Sequence, residues 1–183
     1  MTSVSHGASP AAAPPTVLVE ALLLRHDPTE GFAYRRLITA LGGRARPDDT
    51  ARRLALPAER DEGGHLVHST SWRATDDGQI VLTYLVHPDP APDLPGTPLP
   101  DPHAVARSPR PGHPAPPGLK SHHVAAHAVR HLAFLARTDP AVAAHLASRS
   151  DTSDTSDTRD ALGSALDGLS GVPAGQLHQV QGL

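Results

Sequence analysis

The chain has 183 residues, enough for one ordinary domain, and combines 38% hydrophobic residues with 20 prolines and 15 glycines. This composition predicts a core of roughly 100–120 ordered residues with solvated chain attached to it. The net charge of −3, with the 13 histidines neutral, provides no basic surplus for nucleic acid, and the lack of cysteine excludes disulfides and thiolate metal sites.

The sequence carries no recognisable targeting signal. No stretch approaches the roughly 20 apolar residues of a membrane span. Residues 1–15 lack the cationic and apolar regions of a secretory signal. We therefore expect a cytoplasmic protein without a membrane partner. Lys120 is the only lysine beside fifteen arginines, a bias typical of GC-rich bacteria.

The first predicted element follows a disordered arm at residues 1–15. Val17–Leu24 is almost entirely apolar and is followed by Pro28, which disfavours helix at the residue before it. A strand buried on both faces is the favoured interpretation. A helix is the alternative, because alanine and leucine have high helix propensity.

A helix is predicted next, over Phe32–Leu41. Thr29 can act as its N-cap, and Gly42 provides a stop. Apolar side chains recur at helical spacing in this segment: Tyr34, Leu37, Ile38 and Leu41. A second, short helix is predicted near Asp49–Leu56.

The clearest local signal is a β-hairpin formed by Leu66–Arg73 and Gln79–His87. The two segments flank Asp77-Gly78, a preferred pair for a tight turn. Both faces of the second strand are largely apolar, which predicts a central position in the sheet. A two-residue loop would place Trp72 opposite Thr83 and His68 opposite His87, and a longer loop would shift that register.

The second half of the chain alternates between proline-rich, helical and polar segments. Twelve prolines fall within residues 88–117, which predicts an extended tether inside the core. A long helix is predicted over Leu119–Arg137, followed after Asp139-Pro140 by a shorter helix over Ala141–Ser148. Residues 149–160 repeat an Asp-Thr-Ser pattern typical of a linker, and residues 161–183 predict a weakly ordered tail.

These elements predict an α+β fold with one core, built from residues 16–87 and 118–148. The small antiparallel or mixed sheet has strands near 17–24, 66–73 and 79–87. Helices near 32–41 and 119–146 cover it, because three strands need such a cover to be stable.

A transition-metal site is one hypothesis for the long helix. His123, His127 and His131 are spaced i, i+4 and i+8, and imidazoles at i and i+4 can share one ion such as Zn²⁺. The outer two lie roughly 12 Å apart along the axis, so the site would need a further ligand. That ligand would come from His68, His87 or Asp27. Structural or solvent-facing histidines are the alternative interpretation.

The end of the first strand suggests a second hypothesis. Arg25-His26 directly follows a buried strand and resembles the phosphate site of the histidine phosphatase family. The resemblance covers about ten residues and implies a nucleophilic role for His26. The sequence departs from the family pattern at Asp27, where a glycine is expected, and His87 is followed by proline rather than glycine.

Trp72, Arg73 and Tyr84 on the hairpin are candidates for a ligand-binding groove, with burial in the core as the alternative for the two aromatic side chains. No phosphate-binding glycine loop and no Gly-x-Ser-x-Gly motif is present. Three hypotheses result: a non-catalytic binding or regulatory protein with a protein or small-molecule partner, a metal-binding protein, and a phosphoryl-handling enzyme.

Overall fold

The computed structural model describes residues 15–56, 64–108 and 116–148, together with residues 164, 166 and 167. The predicted N-terminal arm lies outside these ranges apart from Pro15. The predicted linker at 149–160 and almost all of the predicted tail also lie outside them. None of the described helices is both long and apolar enough to cross a membrane.

The described residues form a mixed five-stranded sheet with three helices, which confirms the predicted α+β class. The strand order is β3-β4-β1-β2-β5, and β1 pairs in parallel with β4 and antiparallel with β2. The strands are β1 (Val17–Asp27), β2 (Gly31–Ala40), β3 (Leu66–Ala74), β4 (Ile80–His87) and β5 (Thr97–Pro98). The helices are α1 (Pro47–Ala55), α2 (Ser121–Thr138) and α3 (Pro140–Ser148).

Several predicted elements are confirmed. The apolar run from Val17 is a strand rather than a helix, and it lies in the interior of the sheet. The apolar second strand of the hairpin is central, between β3 and β1. The short helix and the two helices separated at Asp139 also form where expected.

The helix predicted over Phe32–Leu41 is wrong, because this segment is strand β2. It pairs with β1 at ten consecutive positions, from Leu18 opposite Ala40 to Asp27 opposite Gly31. The Asp27 carboxylate accepts hydrogen bonds from the main-chain N–H groups of the next turn, at 2.7 and 2.9 Å. Gly31 has a φ of 78°, which a glycine adopts without strain. The turn therefore reverses the chain, and pairing along β1 outweighs the helical spacing of the apolar residues.

The predicted hairpin register is also wrong. Trp72 pairs with Leu82 and His68 pairs with Leu85, instead of Thr83 and His87. Thr75 and Gln79 close a three-residue loop in which the carbonyl of Thr75 accepts a hydrogen bond from Gly78. Gly78 has a φ of 79°, as in hairpins that combine a type I turn with a left-handed residue. The longer loop shifts the pairing by one residue at Trp72, and a bulge between Ser69 and Ser71 adds a second residue to the shift at His68.

Two cores lie on opposite faces of the sheet. On the α2 face, Leu22, Leu24 and Leu85 pack against α2, α3 and Leu99. On the α1 face, Leu23 and Val86 pack against Ala55 and Leu56 at the end of α1. Both faces of β1 and β4 are thus buried, which explains their unbroken apolar sequences.

Part of the proline-rich segment contacts the sheet. The main-chain N–H of Asp89 donates a hydrogen bond to the carbonyl oxygen of Leu24 at 2.8 Å. The main-chain N–H of Leu99 donates to the carbonyl oxygen of Phe32, also at 2.8 Å. β5 pairs with β2, and the Leu99 side chain is buried. Residues 109–115 lie outside the described ranges, and the division of the chain into core, tether and linker stays a prediction.

Candidate functional site

Arg25 and His26 do not form a common site. They are consecutive residues of β1, so their side chains point to opposite faces of the sheet. The Arg25 guanidinium donates to the main-chain carbonyls of Pro92 and Leu94. The His26 ring packs edge-on against Phe32 with 4.6 Å between centroids. Burial lowers the pKa of His26 from its usual value, although the charge of the adjacent carboxylate opposes this shift.

Three of the candidate histidines meet between α2 and β3. The His131 ring stacks on His68 with centroids 5.2 Å apart, and its centroid lies 6.3 Å from that of His127. Burial lowers the pKa of His131, and the neighbouring charges of His68 and His127 lower it further. The Nε2 atom of His131 is buried and has no hydrogen-bond partner among the described residues.

The other candidate ligands lie elsewhere. His87 contacts His145 on α3, with 6.3 Å between ring centroids, and His123 contacts His122 at the start of α2. Asp27 lies in the turn after β1 and binds main-chain N–H groups there. Within the described ranges, no group of three or more His, Asp or Glu side chains has a geometry that could hold a metal ion.

A β-bulge in β3 determines which side chains face α2. The register shifts between Ser69 and Ser71, with one extra residue opposite β4. His68 pairs with Leu85, which belongs to the core on the α2 face. Ser71 pairs with Thr83, which lies two residues before Leu85 in β4 and therefore on the same face. Without the bulge, residues three apart would point to opposite faces. The bulge therefore brings His68, Ser71 and Arg73 to the same face.

Arg73 belongs to a charged cluster around the buried carboxylate of Glu20 on that face. Its Nη1 and Nη2 groups donate to the two carboxylate oxygens of Glu20 at 2.7 and 2.9 Å. Nη1 also donates to the Thr83 hydroxyl at 3.0 Å, and that hydroxyl donates to Glu20 at 2.8 Å. Arg36 contributes a third donor to Glu20 from β2. The cluster therefore contains one carboxylate and two guanidinium groups, an excess of one positive charge.

Glu20 is the centre of this cluster. Its side chain is 1% exposed, and an ionised carboxylate is buried at low cost only where it is paired and hydrogen-bonded. Burial opposes its ionisation, but the hydrogen bonds from Arg73, Arg36 and Thr83 outweigh burial and lower its pKa. Glu20 is thus held as an anion that fixes the position of both guanidinium groups.

A cleft of about 180 Å³ opens beside the cluster, between β3 and the first half of α2. Its polar wall includes Ser71 and Arg73 from β3 and His123 and His127 from α2. The remaining lining residues are Trp72, Val105, Ala106, Pro116, Leu119 and Val124. The cleft combines a guanidinium group, two imidazoles and a hydroxyl with an apolar wall.

The two histidines of the cleft are positioned by the main chain. His123 Nδ1 accepts the N–H of Lys120 at 3.1 Å, so the neutral ring carries its proton on Nε2. His127 Nε2 lies 3.4 Å from the carbonyl oxygen of Thr70, a long contact in which the ring nitrogen is the donor. Burial lowers the pKa of His123, and the charges of His122 and Lys120 act in the same direction.

Of the three binding candidates on the hairpin, Arg73 alone has its side chain on the cleft side. Trp72 directly precedes Arg73 in β3, so its indole lies on the opposite, α1 face of the sheet. Trp72 is 58% exposed there. Tyr84 is buried on the same α1 face and donates its hydroxyl proton to Asp48 at 2.6 Å. Burial and the Asp48 carboxylate raise the pKa of Tyr84.

Sequence reasoning missed Glu20, Arg36, Ser71 and Thr83. Glu20 was the available signal, because it is the only charged residue within the apolar run Val17–Leu24. A carboxylate in a strand buried on both faces needs a cationic partner. Arg36 lies in the segment whose pattern predicts a helix, and its place in β2 directs it to Glu20.

The sequence matches no known family model, and comparison with curated proteins and with solved structures finds no match.

Proposed function

We propose that the protein is a non-catalytic binding module and that the cleft between β3 and α2 binds a small anionic ligand through Arg73. The observation that carries this proposal is the hydrogen bonding of the Arg73 guanidinium. Cytoplasmic location, bacterial origin and the absence of nucleic-acid binding, all expected from composition, complete the proposal as predictions.

The Arg73 guanidinium has two N–H groups left for a ligand. Three of its five N–H groups are used by Glu20 and Thr83. The pair that no described residue engages consists of Nε–H and the second Nη2–H. These two N–H groups are parallel, and this edge of a guanidinium binds a carboxylate or phosphate through two hydrogen bonds. Because Glu20 occupies the other edge, Arg73 is already oriented before a ligand arrives.

The charge around the cleft supports an anion. The cluster of Glu20, Arg36 and Arg73 has one positive charge in excess, and the polar wall adds two imidazoles. His123 has its Nε2–H available as a donor, since Nδ1 accepts the N–H of Lys120. The first turn of α2 forms part of the wall, and the amino end of a helix favours negative charge.

The properties of Glu20 favour binding over acid–base catalysis. A general base works best when its pKa lies near the working pH. The pKa of Glu20 is lowered from its usual value, and its oxygens accept hydrogen bonds from three side chains. Such a carboxylate is a poor proton acceptor, so its contribution is to hold Arg73 in place.

The test compares the anion affinities of Arg73→Lys and Arg36→Lys. The full chain is titrated with acetate and with inorganic phosphate, and binding is measured by calorimetry. Both arginines pair with Glu20, but only Arg73 lines the cleft. Lysine keeps the charge and loses the parallel N–H pair. We expect Arg73→Lys to weaken anion binding by about ten- to a hundredfold, the value of a charge-assisted hydrogen bond. Arg36→Lys should bind as tightly as the wild type.

Equal affinity in the wild type and in Arg73→Lys would contradict the proposal, as would equal losses in both variants. Circular dichroism of each variant checks that the sheet is retained. The wild-type titration involves no substitution that could disturb folding. The absence of saturable anion binding to the wild type would also overturn the proposal.

A further inference from the structure

The cleft that Arg73 lines also has an apolar wall. Val105, Leu119 and Val124 line it together with Ala106 and Pro116. Val124 is 8% exposed and belongs to the core on the α2 face, and Val105 and Leu119 pack against that core. The wall is thus a continuation of the hydrophobic core that reaches the surface beside a guanidinium group.

This wall distinguishes between classes of anion. Inorganic phosphate or sulfate presents acceptor oxygens in all directions, and oxygens turned towards the wall would have no donor. An organic carboxylate has its oxygens at one end and carbon at the other. Such a ligand satisfies the parallel N–H pair of Arg73 and covers apolar side chains at the same time.

Charge and size point to the same class. One excess positive charge at the cluster matches a monoanion. The volume of about 180 Å³ lies below the roughly 300 Å³ at which pockets for drug-sized ligands begin. The ligand that fits is small, with one charged end.

We propose that the cleft binds short-chain organic monocarboxylates, with the carboxylate on Arg73 and the hydrocarbon part against Val105, Leu119 and Val124. This inference rests on the proposed anion-binding function and specifies its ligand class. It assigns a role to the apolar wall that binding of a simple anion does not require.

A homologous series tests the inference on the unmodified protein. The full chain is titrated with acetate, propanoate, butanoate, pentanoate and hexanoate, and separately with inorganic phosphate, while amide shifts are recorded by nuclear magnetic resonance. Each buried methylene is worth about 0.8 kcal/mol, or roughly a fourfold change in affinity. We expect affinity to rise by about this factor per methylene until the cleft is filled, with shifts at residues 71–73 and 119–127.

Val105→Thr is the matching variant, because threonine has nearly the shape of valine and adds a hydroxyl to the apolar wall. It should weaken the dependence of affinity on chain length relative to the wild type. The control is Val67→Thr, since Val67 is half-buried on the α1 face, away from the cleft. This control should keep the full dependence on chain length.

The outcomes separate this inference from the proposed function. A rise in affinity with chain length that Val105→Thr reduces supports both. Arg73-dependent binding of acetate, hexanoate and phosphate with equal affinity overturns the ligand class and leaves the anion site standing. Binding that does not depend on Arg73, or no binding at all, overturns both.

Discussion

The guanidinium of Arg73 binds the carboxylate of Glu20 through two hydrogen bonds of 2.7 and 2.9 Å. Arg73 lies on the edge strand β3 and Glu20 on the interior strand β1, with Thr83 of β4 between them. The pair therefore links three strands across the α2 face. It also uses one edge of the guanidinium, and no described residue engages the other.

Removing the buried carboxylate should destabilise the fold strongly. Glu20→Gln leaves two guanidinium groups without an anion, and loss of one partner of a buried ion pair costs about 3–5 kcal/mol. Urea denaturation measures the free energy of unfolding. The control is Glu30→Gln in the exposed turn after β1, which should change it by less than about 0.5 kcal/mol. Equal, small effects of both variants would show that the cluster does not stabilise the sheet.

Stability should fall in mild acid because of His131. Its pKa is lowered in the folded state by burial and by His68 and His127, so the unfolded chain binds protons first. The contribution of His131 to the free energy of unfolding is complete above the ordinary histidine pKa of about 6.5. It is lost as the pH falls below that value towards the lowered pKa of the folded state. Urea midpoints between pH 7.5 and 5.5 should decrease, and less so in His131→Phe.

The exposed residue His103 provides the control for that series. His103→Phe should retain the full pH dependence of the wild type. His26 and His123, whose pKa values are also lowered by burial, should leave part of the dependence in His131→Phe. If the slopes of wild type and His131→Phe coincide, the histidine contact between α2 and β3 does not contribute to acid sensitivity.

The β3–β4 hairpin should depend on Gly78. Its φ of 79° lies in the left-handed region, where an alanine costs about 1–2 kcal/mol. A Cβ at this position meets no atom of a more distant residue within 4 Å, so the cost comes from the local backbone conformation. Gly43→Ala is the matched control, because Gly43 has equal space and no positive φ. Thermal unfolding that ranks Gly43→Ala as the more damaging change would contradict the turn geometry.

Tyr84→Phe should cost about 1 kcal/mol, because it removes the hydrogen bond to Asp48 that links β4 to α1. Tyr34 is equally buried, and the described part of the chain offers its hydroxyl no hydrogen bond. Tyr34→Phe should therefore be close to neutral. Chemical denaturation of both variants checks the difference, and equal effects would show that the bond to Asp48 does not stabilise the fold.

The sequence correctly predicts those elements whose local residue pattern fits only one kind of secondary structure and one position in the fold. β4 is apolar on both faces and lies inside the sheet, and Pro140 separates α2 from α3. The apolar residues of β2 fit helical spacing and so predict a helix, whereas its pairing with β1 depends on the turn at Asp27. The hairpin register depends on a loop length and a bulge that alternation of side chains does not reveal.

The candidate site was predictable only in part. The sequence predicts Arg73 as a binding residue and His123 and His127 as possible metal ligands. Their convergence depends on packing α2 against a strand about fifty positions earlier in the chain, and on the bulge that turns Arg73 to that side. The role of Arg73 also depends on Glu20, whose importance appears only when β1 is placed inside the sheet.

The Nε–H resonance of Arg73, followed in a nuclear magnetic resonance titration with butanoate, shows most directly whether the cleft binds a carboxylate. The resonance is assigned by its loss in Arg73→Lys. A carboxylate on the parallel N–H pair should shift this signal downfield and saturably, in the wild type and in Arg36→Lys alike. An Arg73 Nε–H signal that stays in place while butanoate binds elsewhere, or that never responds, would contradict the assignment of the cleft as a carboxylate site.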